Sequence, residues 1–272
     1  MIKWVTSFFH LLLPIKLIRR IAQYNSTRYS VIGDKNVKDK IYLHTPNQIC
    51  DYRIKSLFTK EPDTIDWLKK YQNNKILFDI GSNVGLYSIY FSKLNQNNKV
   101  FAFDGCPFNN SEIQKNIVLN NISIQVTVCN FPLFSSPLVS KWRQNGFVQG
   151  SSMMSFGVNF GFDGNPAPKR DEFNIIGFSI DFLVENKILP IPDIIKIDVD
   201  GAEHLILNGA KKTLHNKKCK SVLVEINEDF NDQLKSIINL MTTLDFNLSS
   251  INLSPHAAGR FLKTKNYIFE RD

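Results

Sequence analysis

Asp79 closes the apolar run ILFDI directly before a glycine turn, Gly81-Ser82-Asn83-Val84-Gly85, and Asp104 closes a second run, VFAFD, about 20 residues after that turn. A pyrophosphate site presents bare backbone N–H groups and a helix N-terminus to the phosphates, with glycines spaced G-x-G-x-x-G. Here the glycines are spaced differently and an acid guards the strand end. A carboxylate at that point repels phosphate and attracts a cation. S-adenosylmethionine (SAM) carries an ammonium and a sulfonium, so Asp79, Gly81, Ser82, Asn83 and Gly85 form a candidate cradle for its amino-acid end. Asp104 then stands where nucleotide-binding α/β folds place the acid that holds ribose hydroxyls. Singly, Asp79 reads as a helix N-cap and Asp104 as a turn former; the pair at this spacing is what points to a nucleoside.

A second acidic group lies in DIIKIDVDGAEH and SVLVEIN. On an extended strand Lys196, Asp198 and Asp200 point to one side. Glu203 falls in the first turn of the following helix, where a carboxylate also suits the helix dipole, and Glu225 ends the next strand. An aliphatic hydroxyl that attacks a bound electrophile in line needs a base beside it at neutral pH. Asp198 is the first candidate base, then Asp200, with Glu225 completing an acidic rim. Glu203 reads better as a structural cap. Such carboxylates would also suit Mg²⁺, which takes few protein ligands plus water and substrate oxygens, but nothing in the sequence requires a metal.

Repeated β-α alternation must position these groups. Expected strands are Ile76 to Ile80, Val100 to Asp104, Ile124 to Cys129, the segment before Asp198, and SVLVEIN; expected helices are Asp63 to Lys70, Val84 to Leu94, Asn109 to Leu119, Ser179 to Glu185 and Asn231 to Leu244. Phe246 to Leu253 and Asn266 to Phe269 suggest a closing antiparallel pair. The pattern implies a mostly parallel sheet covered on both faces, with ligands at the carboxyl ends of its strands. Ile41 to Lys60 reads as strand and loop. An irregular insertion, residues 130–174, is rich in Gly, Ser, Pro and Phe, and its aromatics favour a folded lid or hairpin. Ser151 and Ser152 within it are candidates for holding a polar acceptor.

The chain has 272 residues and net charge +8, but residues 1–40 hold eight Lys or Arg against two acids, which leaves only +2 for the remainder. A near-neutral body argues against DNA and against RNA, whose binding leans on phosphate neutralisation. The expected organisation is a basic arm, 1–40, and one domain, 41–272. The arm's apolar run, Trp4 to Ile15, is too short to span a bilayer and contains Pro14. Phe8, Leu12, Ile15 and Ile18 would form a helix face packed on the domain, or Trp4, Phe8 and Phe9 with the basic residues would lie in an anionic headgroup layer, giving peripheral membrane contact through residues 1–30. The four cysteines form no C-x-x-C pair and suit a reducing, cytoplasmic setting.

Four blocks together, FDIGSNVGLYS, VFAFDGCPFN with Asn116 and Asn120, SIDFLVEN leading to DIIKIDVDGAEHLILNGA, and VLVEIN, resemble the FkbM family of SAM-dependent methyltransferases over residues 78–269. The resemblance implies a class I methyltransferase (Rossmann-like) α/β fold, SAM as cofactor, and O-methylation, commonly of a sugar or natural-product hydroxyl, so a small-molecule or glycan acceptor. It also implies an adenine pocket around Cys129 and Asn130. Two positions depart from the family: Asp104-Gly105 stands for Glu-Pro, and Pro132 for alanine. The rival readings are an NAD(P)-binding oxidoreductase, a non-catalytic Rossmann-like scaffold and an RNA 2′-O-methyltransferase.

Overall fold

The computed structural model describes residues 14–17, 20, 27–168 and 170–272. The arm's proposed helix face, with Phe8, Leu12 and Ile18, lies outside them, apart from an exposed Ile15. Among the described residues no helix is long and apolar enough to cross a membrane. Strand β1 (Tyr29–Ile32) pairs antiparallel with β2 (Ile41–His44), so residues 29–40, grouped above with the arm, are tied to the domain. Ile41 and Leu43 of β2 are buried, and its free edge is satisfied by side chains. Asn116 Oδ1 accepts the His44 N–H at 2.7 Å, and Asn120 Oδ1 accepts the Tyr42 N–H at 2.9 Å. These asparagines do for β2 what a neighbouring strand would.

The stretch expected as strand and loop also holds a helix, Gln48–Lys55, capped by Asn47, whose side chain accepts the Cys50 N–H at 2.9 Å. Helix Pro62–Lys70 follows, with Pro62 in its first turn, where a missing N–H costs nothing.

The core then alternates as expected. Strands β3 (Ile76–Ile80), β4 (Lys99–Phe103) and β5 (Val126–Cys129) run parallel, with helices Leu86–Leu94 and Pro107–Leu119 between them. The insertion folds into β6 (Leu138–Gln144), β7 (Ser155–Phe156) and β8 (Asp171–Gly177), a three-stranded antiparallel sheet that reaches three residues past the expected boundary. Strands β9 (Ile194–Ile197), β10 (Ser221–Asn227), β11 (Asn247–Leu253) and β12 (Thr264–Glu270) complete a seven-stranded sheet of order β11-β12-β10-β9-β3-β4-β5. Only β12 runs antiparallel to both its neighbours, forming the closing pair with β11. This is the class I methyltransferase arrangement, and the chain reverses direction across the sheet between β3 and β9, where open α/β sheets bind ligands.

Period-2 alternation separates the two cores. Phe78, Ile80, Ile195 and Ile197 face helices Ile180–Glu185, Glu203–Asn208 and Asn231–Thr243, while Leu77, Ile194 and Leu223 face helices Pro62–Lys70, Leu86–Leu94 and Pro107–Leu119. Asp79 shares its parity with Leu77, and Lys196 with Ile194. Both are therefore aimed into the face covered by helix Leu86–Leu94.

Candidate active site

The loop after β3 is locked against β4. Gly81 and Ser82 both donate N–H bonds to the Phe103 carbonyl, at 2.9 and 3.0 Å, and the Asn83 N–H goes to Asp104 Oδ2 at 2.9 Å. Gly81 is left-handed, with φ +79°, and a Cβ there would stand 1.8 Å from the Asp198 carbonyl oxygen. No other residue fits that approach of loop to β9. Three successive N–H groups that a dinucleotide site would offer to phosphate are thus spent on the neighbouring strand, which removes the basis of the oxidoreductase reading. Ser82 is buried with its hydroxyl also on Phe103 O, and Gly85, at φ +82°, starts helix Leu86–Leu94.

A cavity of about 460 Å³ opens above this loop, a size suited to a small ligand. Gly81, Asn83 and Asp104 line it, as do Phe103, Phe131 and Leu133, which make one wall apolar. Asp104 accepts the Cys106 N–H at 2.7 Å on Oδ1, and Asn109 Nδ2 donates to its Oδ2 at 3.3 Å. Burial pushes its carboxyl up to about 7 despite these donors. Gly105 is tied to the insertion: a Cβ there would lie 2.3 Å from the Trp142 ring, so the family's Glu-Pro could not be accommodated under this tryptophan. Trp142 is buried with Cys106, Met154 and Phe156 beneath the small sheet.

That small sheet is the roof. Ser151 O accepts from Asn83 Nδ2 at 2.7 Å and Asn109 Nδ2 at 3.3 Å, Asn109 Oδ1 accepts the Gly150 N–H at 2.9 Å, and the Met153 N–H donates to Asp200 Oδ2 at 2.6 Å. The insertion is thereby stitched to the glycine loop, the Asp104 turn and the acidic turn at once. Ser151 and Ser152 line the cavity.

Four of the expected cofactor residues do not line this cavity: Ser82 and Gly85, which shape the loop beneath it, and Asp79 and Asn130. Asp79 is fully buried and lines no part of the cavity; Ser88 donates to its Oδ2 at 2.5 Å, its Oδ1 has no partner, and burial raises its pKa. Its place in the strand alternation, pointing under a helix, accounts for this. Asn130 is exposed and does not line the cavity. A tight turn in which Phe131 N–H returns to Cys129 O at 2.9 Å swings Phe131 and Pro132 inward instead.

At the far end, Asp198, Asp200 and Glu225 all reach the cavity, with Lys60 and Glu61 beside them. Carboxylate oxygens of Glu61, Asp198 and Glu225 lie within 4.8 Å of one another. Lys60 pairs with Glu61, and Lys196 Nζ with Asp198 at 2.9 Å. Lys196 is 2% exposed; burial opposes its charge, but Asp198, Asp79 and Glu61 together keep its pKa raised, and it stands 5.1 Å over the Tyr87 ring. Tyr87 OH donates to Glu61 at 2.8 Å. Burial alone would raise Asp198, yet Lys196 and Lys60 hold it down to about 2, whereas Glu225, half-buried beside Asp198 and Glu61, is pushed well up. The cluster is therefore a set of carboxylates beside two ammonium groups, and Glu225 is the member whose charge is most strongly opposed.

The expected alternation ends at Ile197. Asp200 adopts φ +62° in a turn beyond the strand, and burial with the Asp198 charge raises its pKa to about 6. Glu203 is a brace: it accepts the Val199 and Gly201 N–H groups at 3.1 Å, takes Gln233 Nε2 at 2.8 Å, and stays out of the cavity. His204 packs between Phe160 and Phe230. Sequence reading missed Glu61, which looked like a residue before a helix, and Arg53, Asn109 and Lys60, none of which stands in a recognisable pattern.

A family model described as the Methyltransferase FkbM domain matches residues 79–248. Among solved structures, the chain is similar to methyltransferase FkbM from Methylobacillus flagellatus KT, at 16% identity and a TM-score of 0.48, over 71% of this chain and 43% of that one. It is also similar to precorrin-6y C5,15-methyltransferase from Geobacter metallireducens GS-15, at 15% identity and a TM-score of 0.46, over 80% of this chain and 92% of that one. The chain thus spans less than half the length of the first of these structures. No curated protein sequence matches it.

Proposed function

The chain belongs to the FkbM methyltransferase family, and from that premise we propose that it is a SAM-dependent enzyme that methylates a hydroxyl of a saccharide, glycolipid or related polyhydroxylated molecule. The carboxylate cluster at the far end of the cavity carries this reading. Glu61, Asp198 and Glu225 offer a compact set of acceptors for several hydroxyl groups, beside the flat ring of Phe261, which lines the cavity and stacks on Phe162 with centroids 5.0 Å apart.

The residues around the cavity fit the donor. Asp104 sits in the wall as an acceptor for ribose hydroxyls, the apolar surfaces of Phe103, Phe131 and Leu133 suit adenine, and Gly81 lines the cavity beside them. Bound SAM supplies an electrophilic methyl carbon on a sulfonium. The protein's share is orientation and proton handling. Asp198, held as an anion by two lysines, accepts a hydrogen bond from the acceptor and fixes its direction, but with a pKa of about 2 it is a poor proton acceptor. Asp200, raised to about 6, is better matched to take the hydroxyl proton near neutral pH. Glu225, whose carboxyl is pushed toward its neutral form, is placed to hydrogen-bond the acceptor or Asp198. The oxygens of Glu61, Asp198 and Glu225 would also suit a hard cation, but Lys60 and Lys196 already neutralise that cluster, so the chemistry is assigned without a metal.

Labelled SAM incubated with fractionated glycan, lipid and small-molecule pools, followed by mass spectrometry of the labelled product, tests the proposal. A methyl ether on a sugar hydroxyl is expected; label on nitrogen, carbon or RNA would overturn it.

A further inference from the structure

A second, smaller cavity of about 50 Å³ adjoins the first behind the glycine loop. Arg53, Lys60, Glu61, Gly81, Asn83 and Asp198 line both. The small cavity also touches Leu86 and Tyr87, the first turn of helix Leu86–Leu94, whose N-terminus favours an anion. Its wall carries three cations, Arg53, Lys60 and Lys196, and two carboxylates, Glu61 and Asp198, in a narrow space, a surface complementary to a zwitterion. Asp79, the residue expected to meet the amino-acid end of the donor, is absent from it.

Among the described residues, Arg53 is the cation in that wall with no carboxylate partner. It sits on helix Gln48–Lys55 between the buried Cys50 and Ile54, so the helix period turns it inward. Its Nε donates to the Gly150 carbonyl at 2.6 Å, which fixes the guanidinium plane against the roof. Among the described residues, neither terminal nitrogen makes a hydrogen bond or an ion pair. Lys60, by contrast, is committed to Glu61 and Lys196 to Asp198. A planar, pre-oriented fork with both outer nitrogens open is the group that best matches a carboxylate.

We propose that Arg53 binds the carboxylate of the donor's amino-acid tail, in the small cavity behind the glycine loop. The inference rests on SAM being the donor, and it places a cofactor contact outside residues 79–248, in a helix that the family match does not cover. It also explains why the roof and this helix are joined at Gly150: one bond aims the guanidinium and closes the site.

Calorimetry with two ligands tests it: S-adenosylhomocysteine and its decarboxylated analogue, S-adenosyl-3-thiopropylamine. The parent protein should bind the analogue about 10- to 100-fold more weakly, the range for a lost charge-assisted hydrogen bond. Arg53→Gln should weaken S-adenosylhomocysteine by a similar factor and leave the analogue's affinity close to the parent's, with Arg53→Lys in between. Equal affinity of the parent for both ligands, or equal loss of both in Arg53→Gln, would overturn the assignment. A parent protein with no affinity for S-adenosylhomocysteine would instead remove the donor reading itself, so the two failures are distinct.

Discussion

Replacing Asp104 by Asn separates what this residue does for the ligand from what it does for the fold. The rise of its pKa from 3.8 to about 7 means that the anion, at pH 8, is disfavoured in its site by about 4 kcal/mol relative to the neutral acid. Asn is nearly isosteric with that neutral acid. Its single oxygen can replace Oδ2, serving Asn83 and Asn109, or Oδ1, serving Cys106, but not both, so at least one N–H is left unpaired at a cost of about 1–3 kcal/mol. The net at pH 8 is a gain of about 1–3 kcal/mol, or a melting temperature higher by about 2–10 °C. The sign follows from linkage: the folded state binds this proton more tightly than the unfolded one, so its contribution is complete below pH 4 and is lost as pH rises through 7. At about pH 3, below both pKa values, the parent carries the proton in the folded and unfolded states alike, the relief vanishes, and the variant should be less stable by about 1–3 kcal/mol. Thermal melts at the two pH values, with calorimetric titration of S-adenosylhomocysteine, measure both effects. Affinity should fall about tenfold or more, because the strong acceptor for ribose is gone. A variant destabilised equally at both pH values would refute the electrostatic reasoning, and an unchanged affinity would refute the ribose contact.

Four further outcomes are expected. Gly105→Ala should cost about 1–3 kcal/mol in urea denaturation by forcing the Trp142 ring out of place, and much less in a Trp142→Leu background; equal costs in both would contradict the contact. Asp200→Asn should slow methyl transfer by about 10²- to 10⁴-fold while leaving S-adenosylhomocysteine affinity within a few-fold, and a matching loss of affinity would show it to be a binding group. Donor affinity should rise from pH 6 to pH 8, with proton release, because ribose hydroxyls need the Asp104 anion; affinity that is flat over this range would count against it. EDTA should leave the initial rate unchanged, since ammonium groups already balance the carboxylates, and a rate that collapsed and returned with Mg²⁺ would reverse that view.

The parallel sheet was legible because its strands are short, apolar and bounded by turn residues, and because helices recur between them. Asp104, Asp198 and Glu225 were legible for the same reason, since carboxyl ends of parallel strands are where ligands collect. Asp79 shows where that logic stops. Its position in the strand was read correctly, but parity alone sends it under helix Leu86–Leu94, and an apolar run does not reveal which face its last acid joins. Asp200 shows another limit: the alternation that paired it with Asp198 ends at Ile197, and the left-handed turn that follows could not be read from residue types. Glu61, Arg53 and Asn109 come to the site through packing between distant segments. Arg53 meets Gly150 across 97 residues and Asn109 meets it across 41, and no local pattern encodes either contact.

A crystal structure of the protein with S-adenosylhomocysteine tests the assignment of the donor site most directly. The ribose hydroxyls should lie within hydrogen-bond distance of Asp104, the adenine against Phe131, and the carboxylate against Arg53, with Asp79 still buried beneath the loop. A ligand seated away from Asp104, or with its amino-acid end turned toward Phe131 and away from Arg53, would contradict it.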